Sequence, residues 1–151
     1  MTVLIVVQLV LAGLLAGEET IVRWGVQPAL RSLPDDAHVR TRIALVKRLK
    51  VVVPILMVPT VLASIALLVV AGGSAGLAWR IAGAAALLVF VLASFLGTVP
   101  INIGVNDWDP VRPPADWRAV VVRWERIDVL RSTAAVLAFV LFAIAVGVAL
   151  P

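Results

Sequence analysis

A chain of 151 residues that is 62% hydrophobic, with mean hydropathy +1.10, carries more apolar side chains than the roughly 45–50% of soluble domains and reads as a membrane protein of one compact unit, 1–151. The absence of cysteine excludes disulfides, thiolate metal sites and dithiol redox chemistry, and a single histidine, His38, excludes a haem held by two histidines of the chain. The net charge of +4 has no soluble basic face to sit on, so nucleic acid is not an expected partner; the positive residues are topology signals within a lipid bilayer.

Residues 3–17 hold no charge and one polar side chain, Gln8. Fifteen residues rise about 22 Å as helix, short of the roughly 30 Å hydrocarbon core, so a spanning helix must run on through Glu18 and Glu19 toward Arg23. The expected helix is about 2–25. No Lys or Arg precedes the apolar run, which argues against a cleaved leader. Gly13 and Gly17, beside Ala12 and Ala16, form a small-residue ridge. It suits close contact with another helix of the same chain, and leaves an oligomer open. Gln27-Pro28 is expected to begin the first connection.

Pro34-Asp35-Asp36 reads as a helix start, with acids beside the positive helix end. The pattern then runs unbroken through Lys50 and predicts one rod over about 35–71, whose first four turns lie outside the hydrocarbon. Pro54 and Pro59 should bend it. A short turn at 72–76 leads to a third helix, about 77–99. Ser94, Thr98 and Asn102 are spaced by four, a polar stripe, but Pro100 predicts a stop or kink. Residues 101–114 read as a loop tucked into the head of the bundle, and the last helix covers about 115–150. The predicted fold is all-α: a bundle of four transmembrane helices, with the second and fourth extended into the cytoplasm.

Twelve of the thirteen Lys and Arg residues flank the first and third connections, and Arg80 alone lies at the other end. This bias places both connections in the cytoplasm and both termini outside, in the inner (plasma) membrane. All nine acids fall at the same end, so function is expected there.

Gln8, Ala12, Leu15 and Glu19 share a helix face, and Glu19 stands four residues before Arg23, the favourable order for an ion pair. Two readings stay open. Glu19 pairs with Arg23 at the interface while Glu18 points to headgroups, or one of these glutamates faces the interior as a base, proton acceptor or ligand. Trp117, Val121, Trp124, Asp128 and Arg131 follow steps of four, three, four and three, and so line one face of the last helix. They read either as interfacial anchors with a structural ion pair or as an inward stripe of two indoles leading to an acid and a base. His38 is expected to be solvated near its helix start. With two carboxylates it could complete an iron site, but the chain has no second histidine, and no metal site is assigned. Asn102, Asn106, Asp107, Trp108 and Asp109 read as turn chemistry or as a polar lid. No Walker motif, dinucleotide fingerprint, Gly-x-Ser-x-Gly elbow or HExxH is present.

These residues together resemble the anthrone oxygenase-like family of small four-helix integral membrane proteins. The resemblance rests on Ala16-Gly17 followed by Glu18-Glu19, on Pro28-Ala29-Leu30, and on Val99-Pro100-Ile101-Asn102. Trp117, Trp124, residue 128 and Arg131 are similar to the family's Trp-x6-Trp-x3-Asn-x2-Arg signature, with Asp128 in place of the Asn of many members. The resemblance implies oxygenation of a planar, acidic aromatic such as an anthrone. It would be stacked on Trp124 or Trp117, deprotonated by Glu19 or Asp128, its enolate held by Arg131, with Asn102 and Glu18 also at the substrate. A carbanion of that kind meets oxygen unaided, so no cofactor is required and none is identified. Two other readings of the same residues stay open: a small proton-coupled transporter, and a non-catalytic membrane scaffold.

Overall fold

In the computed structural model, which describes residues 1–70, 73 and 75–149, every regular element is a helix. The first rod is α1 (Thr2–Ile21), a wide π-type turn (Val22–Val26) and α2 (Gln27–Arg31). The second is α3 (Asp35–Val70). The third is α4 (Leu77–Ala93), a second wide turn (Ser94–Thr98) and α5 (Val99–Asn106), and the fourth is α6 (Trp117–Ala149). Each rod is long and apolar enough to cross a membrane. The 36 residues of α3 rise roughly 54 Å, well beyond the hydrocarbon thickness. The expected helix limits at 71 and 150 lie outside the described residues, as does part of the expected turn at 72–76.

Two of the expected breaks are absent, for one reason. The first rod does not end at Gln27-Pro28, and residues 101–106 are helix rather than loop. A proline has no N–H for the carbonyl four residues back, and its ring crowds that carbonyl. In both rods the chain widens by one residue just before it. Gln27 N–H bonds to the Val22 carbonyl and Val99 N–H to the Ser94 carbonyl, each five residues back. Pro28 and Pro100 then fall in the first turn of the resumed helix, where no donor is needed. Such π-type turns recur at functional sites, and both of these border the cavity described below.

Apolar burial between helices gains little in lipid, so close van der Waals packing must hold the bundle. The core is accordingly rich in small residues: Ala12, Ala86, Ala134, Ala135 and Ala138 surround Leu15, Met57, Leu87, Phe90 and Phe142. A Cβ on Gly83 would stand 2.6 Å from the Phe142 ring, and one on Gly13 3.2 Å from Phe139. Gly13 thus serves contact within the chain, while Gly17 has no neighbour within 4 Å of such a Cβ. Gly76 precedes α4 with φ +84°, and a side chain there would meet the Ala145 carbonyl. Leu14, Leu62, Leu88, Leu96 and Val140 face outward, as lipid contact requires. The Gln8 amide donates to the Ser64 hydroxyl at 3.0 Å, joining α1 to α3 in the apolar half. Arg80, the lone cation of that end by sequence, is buried.

At the charged end the long helices pack a second cluster: Val39, Ile43 and Val46 from α3, Val105 from α5, and Trp117 and Val121 from α6. Salt bridges Asp35–Arg118 and Arg31–Glu125 join elements around it, the latter with two hydrogen bonds of 3.1 and 2.8 Å. His38 abuts this cluster through Trp117. It is buried edge-on to the Trp117 ring at 5.1 Å rather than solvated, because Trp117 of α6 covers it.

Candidate functional site

Three residues of sequence-remote helices meet at the junction of the two packed clusters. On α6, Asp128 and Arg131 stand one turn apart on the buried face. Arg131 reaches across to α1, where Nη2 donates to Glu19 Oε1 at 2.6 Å. Its Nη1 donates to Asp128 Oδ1 at 3.4 Å, and its Nε to the Ser94 hydroxyl at 2.9 Å. That hydroxyl in turn donates to the Phe90 carbonyl of α4, which fixes one donor direction of the guanidinium. The plane of Arg131 also lies over the Phe90 ring, 5.1 Å from its centroid. Glu19 is 2% exposed and its Oε2 has no protein partner. Glu18 is half-buried, and its Oε2 also lacks one.

The expected Glu19–Arg23 pair is not formed. The Arg23 guanidinium donates to the Ser132 and Thr133 hydroxyls on α6 instead. Burying a carboxylate without a partner costs several kcal/mol; Arg131 supplies that partner from 112 residues away in sequence.

A cavity of about 190 Å³ opens beside this centre. Glu18, Glu19, Asn102, Trp124, Asp128 and Arg131 all border it. Its other walls are mainly apolar, from Val22, Val53, Met57, Phe95 and Val99, with Thr98 and Asn106 adding polar atoms. The mixture suits a small apolar molecule with a polar head. Asn102 lies on α5, not in a loop, and its Oδ1 accepts from the Trp124 indole N–H at 2.9 Å. One face of Trp124 is taken by the Arg42 guanidinium, 5.1 Å from the ring centroid. Trp117 does not reach the cavity: it lies two turns before Trp124 and packs in the charged-end cluster, so it is not a stacking surface there. Asp107 and Asp109 do not border the cavity either, and Asp109 instead accepts from the Val111 N–H as a turn residue.

Arg42 was hidden among the basic residues that mark topology. It is 1% exposed, donates to Gln27 at 2.8 Å, and approaches Glu125 at 3.8 Å. Its Nε and Nη1 have no protein partner. The signal for it was periodicity: His38, Arg42 and Val46 repeat every four residues on one face. Among the described residues, no group of three or more His, Cys, Asp or Glu is placed to hold a metal ion.

Fold and site together define a multi-pass, four-helix membrane protein with a buried carboxylate–guanidinium centre beside a mainly apolar cavity. The family model described as anthrone oxygenase matches residues 44–141, about two thirds of the chain, and the chain belongs to that family. The matched span carries Asn102, Trp117, Trp124, Asp128 and Arg131, while Glu18 and Glu19 lie outside it. No curated protein and no solved structure matches the chain.

Proposed function

We propose that the cavity binds a planar aromatic ketone with an acidic methylene, of which anthrone is the example, and oxygenates it to the quinone. The observation that carries this reading is Glu19: a buried carboxylate at the cavity wall, one oxygen held by Arg131 and the other without a protein partner. Glu19 Oε2 takes a methylene proton, leaving an enolate. The charge on the ketone oxygen is stabilised by Arg131. The carbanion carbon adds dioxygen and, after protonation, gives a hydroperoxide. Loss of water then forms the second carbonyl. One dioxygen is consumed and one water released per substrate, and the four electrons lost by the methylene carbon reduce the dioxygen. Asp128 fixes Arg131, and Trp124, ordered by Asn102 and Arg42, offers an aromatic edge to the ring system.

The test is oxygen uptake by the protein in lipid nanodiscs supplied with anthrone. Glu19→Gln keeps an oxygen for Arg131 and removes the base, and should lower turnover roughly a hundred- to ten-thousand-fold. Turnover unchanged in both Glu19→Gln and Asp128→Asn sinks the reading. Proton movement driven by an aromatic cation in proteoliposomes, without oxygen uptake, would replace it with a transporter. The concentration of Lys and Arg at one end further supports a cytoplasmic charged end in the plasma membrane, with both termini outside. In that orientation Asp109→Cys in intact cells reacts with an impermeant maleimide only after permeabilisation.

A further inference from the structure

The cavity has a polar inner wall and an apolar mouth. Glu19, Ser94, Thr98, Asp128 and Arg131 border it and are buried. Phe95, Val99 and Ile103 of the third rod border it too, yet are 55%, 37% and 62% exposed, so the same side chains form both its wall and the outer surface. Opposite them on α3, Pro54 is exposed and Lys50 marks one corner. The opening therefore lies between α3 and the third rod. From Leu49 to Met57 the cavity extends eight residues along α3, roughly 12 Å, starting where the charged stretch of α3 gives way to an apolar one. Toward the charged end, the route along the bundle axis is filled by Val39, Ile43, Val46, Val105, Trp117 and Val121, with Ile101 and Trp108 packed on them. Toward the other end it meets the core around Leu15, Leu87 and Phe90.

We propose that the ligand enters sideways from the bilayer, through the portal bounded by Pro54, Phe95, Val99 and Ile103. Its class follows: a lipid-dissolved aromatic, uncharged on entry, whose one polar head travels inward to Glu19 and Arg131. A ligand carrying a permanent charge would have to pass an apolar rim, and charge within the hydrocarbon costs at least about 2.5 kcal/mol. Lys50 at the corner suits the headgroup level, where its ammonium reaches water along an apolar stem. The inference rests on the aromatic class proposed above, but concerns the route rather than the reaction.

The chain has no cysteine, so single-cysteine variants report one position each. Ile103→Cys stands at the portal; Leu62→Cys, 61% exposed on α3 and away from the cavity, is the control. Each is labelled with benzylmaleimide in nanodiscs, and association of naphthol is followed by its fluorescence. Labelling Ile103→Cys should slow association about tenfold, while labelled Leu62→Cys binds as the unlabelled protein does. Naphthol sulfonate, confined to water, should not compete. Unchanged association in labelled Ile103→Cys, equal competition by the sulfonate, or no naphthol binding by the unlabelled protein each overturns the proposal. Portal-dependent naphthol binding without anthrone turnover overturns the oxygenase reading alone. Full anthrone turnover by labelled Ile103→Cys overturns the portal alone.

Discussion

Replacing Arg131 by methionine keeps the length of the side chain and removes its charge. Three acceptors lose their donor at once: Glu19 Oε1, Asp128 Oδ1 and the Ser94 hydroxyl. Glu19 Oε2 has no basic or amide donor, so the glutamate then keeps only the neighbouring acid Glu18 beside it. Breaking a buried ion pair from one side costs about 3–5 kcal/mol, because the remaining charge stays desolvated. For a chain of this size each kcal/mol lowers Tm by roughly 2–4 °C, which sets the expected fall at about 6–20 °C. Arg131→Lys keeps the charge but not the three directed donors, and should fall less. The assay is thermal loss of helical circular dichroism in nanodiscs, run as a cycle with Glu19→Gln. If the two side chains hold each other, the double variant is more stable than the sum of the single losses predicts, by at least about 0.5 kcal/mol. Additive losses, or an Arg131→Met protein as stable as the parent, would refute the view that this pair secures the junction of α1 with α6.

Gly83→Val places a side chain against the Phe142 ring, 2.6 Å from its nearest atoms, and should cost about 1–3 kcal/mol by forcing α4 from α6; thermal unfolding measures it. Asn102→Leu leaves the buried Trp124 indole N–H without its acceptor, at a cost of about 1–3 kcal/mol, and frees the ring to turn. Naphthol affinity should fall in that variant while the Arg131–Glu19 coupling persists, a pair of results that binding and the mutant cycle read separately.

The helical faces were legible because a 3.6-residue period survives in lipid as it does in water. Gln8 and Glu19 share one face of α1, and Trp117, Trp124, Asp128 and Arg131 one face of α6, as their spacing predicted, and both faces are buried, which the spacing left open. Depth along the face was less legible. Trp117 and Trp124 share a stripe, yet one packs in the charged-end cluster and the other borders the cavity, since only the approach of α3 and α5 decides where space remains. Pro28 and Pro100 read as terminators by the usual rule, and the π-type turns that defeat it involve backbone bonds with no residue signature. The partners of Arg23 and Arg131 lie on other helices, Ser132 and Thr133 for one and Glu19 and Ser94 for the other, and spacing along one helix carries no signal for them. Arg42 was unread for another reason: a basic residue near a membrane boundary has a sufficient topological explanation, and burial is visible only once Trp124 and Gln27 stand beside it.

The central claim is that Glu19 removes a proton from a bound, enolisable aromatic ketone. It is tested most directly without oxygen, by following exchange of the anthrone methylene protons with deuterated water in nanodiscs. The wild-type protein should accelerate exchange above the protein-free rate, and Glu19→Gln should return it to that rate while still binding naphthol. Equal acceleration by wild type and Glu19→Gln would contradict the account, leaving Glu19 as a brace for Arg131 rather than a base.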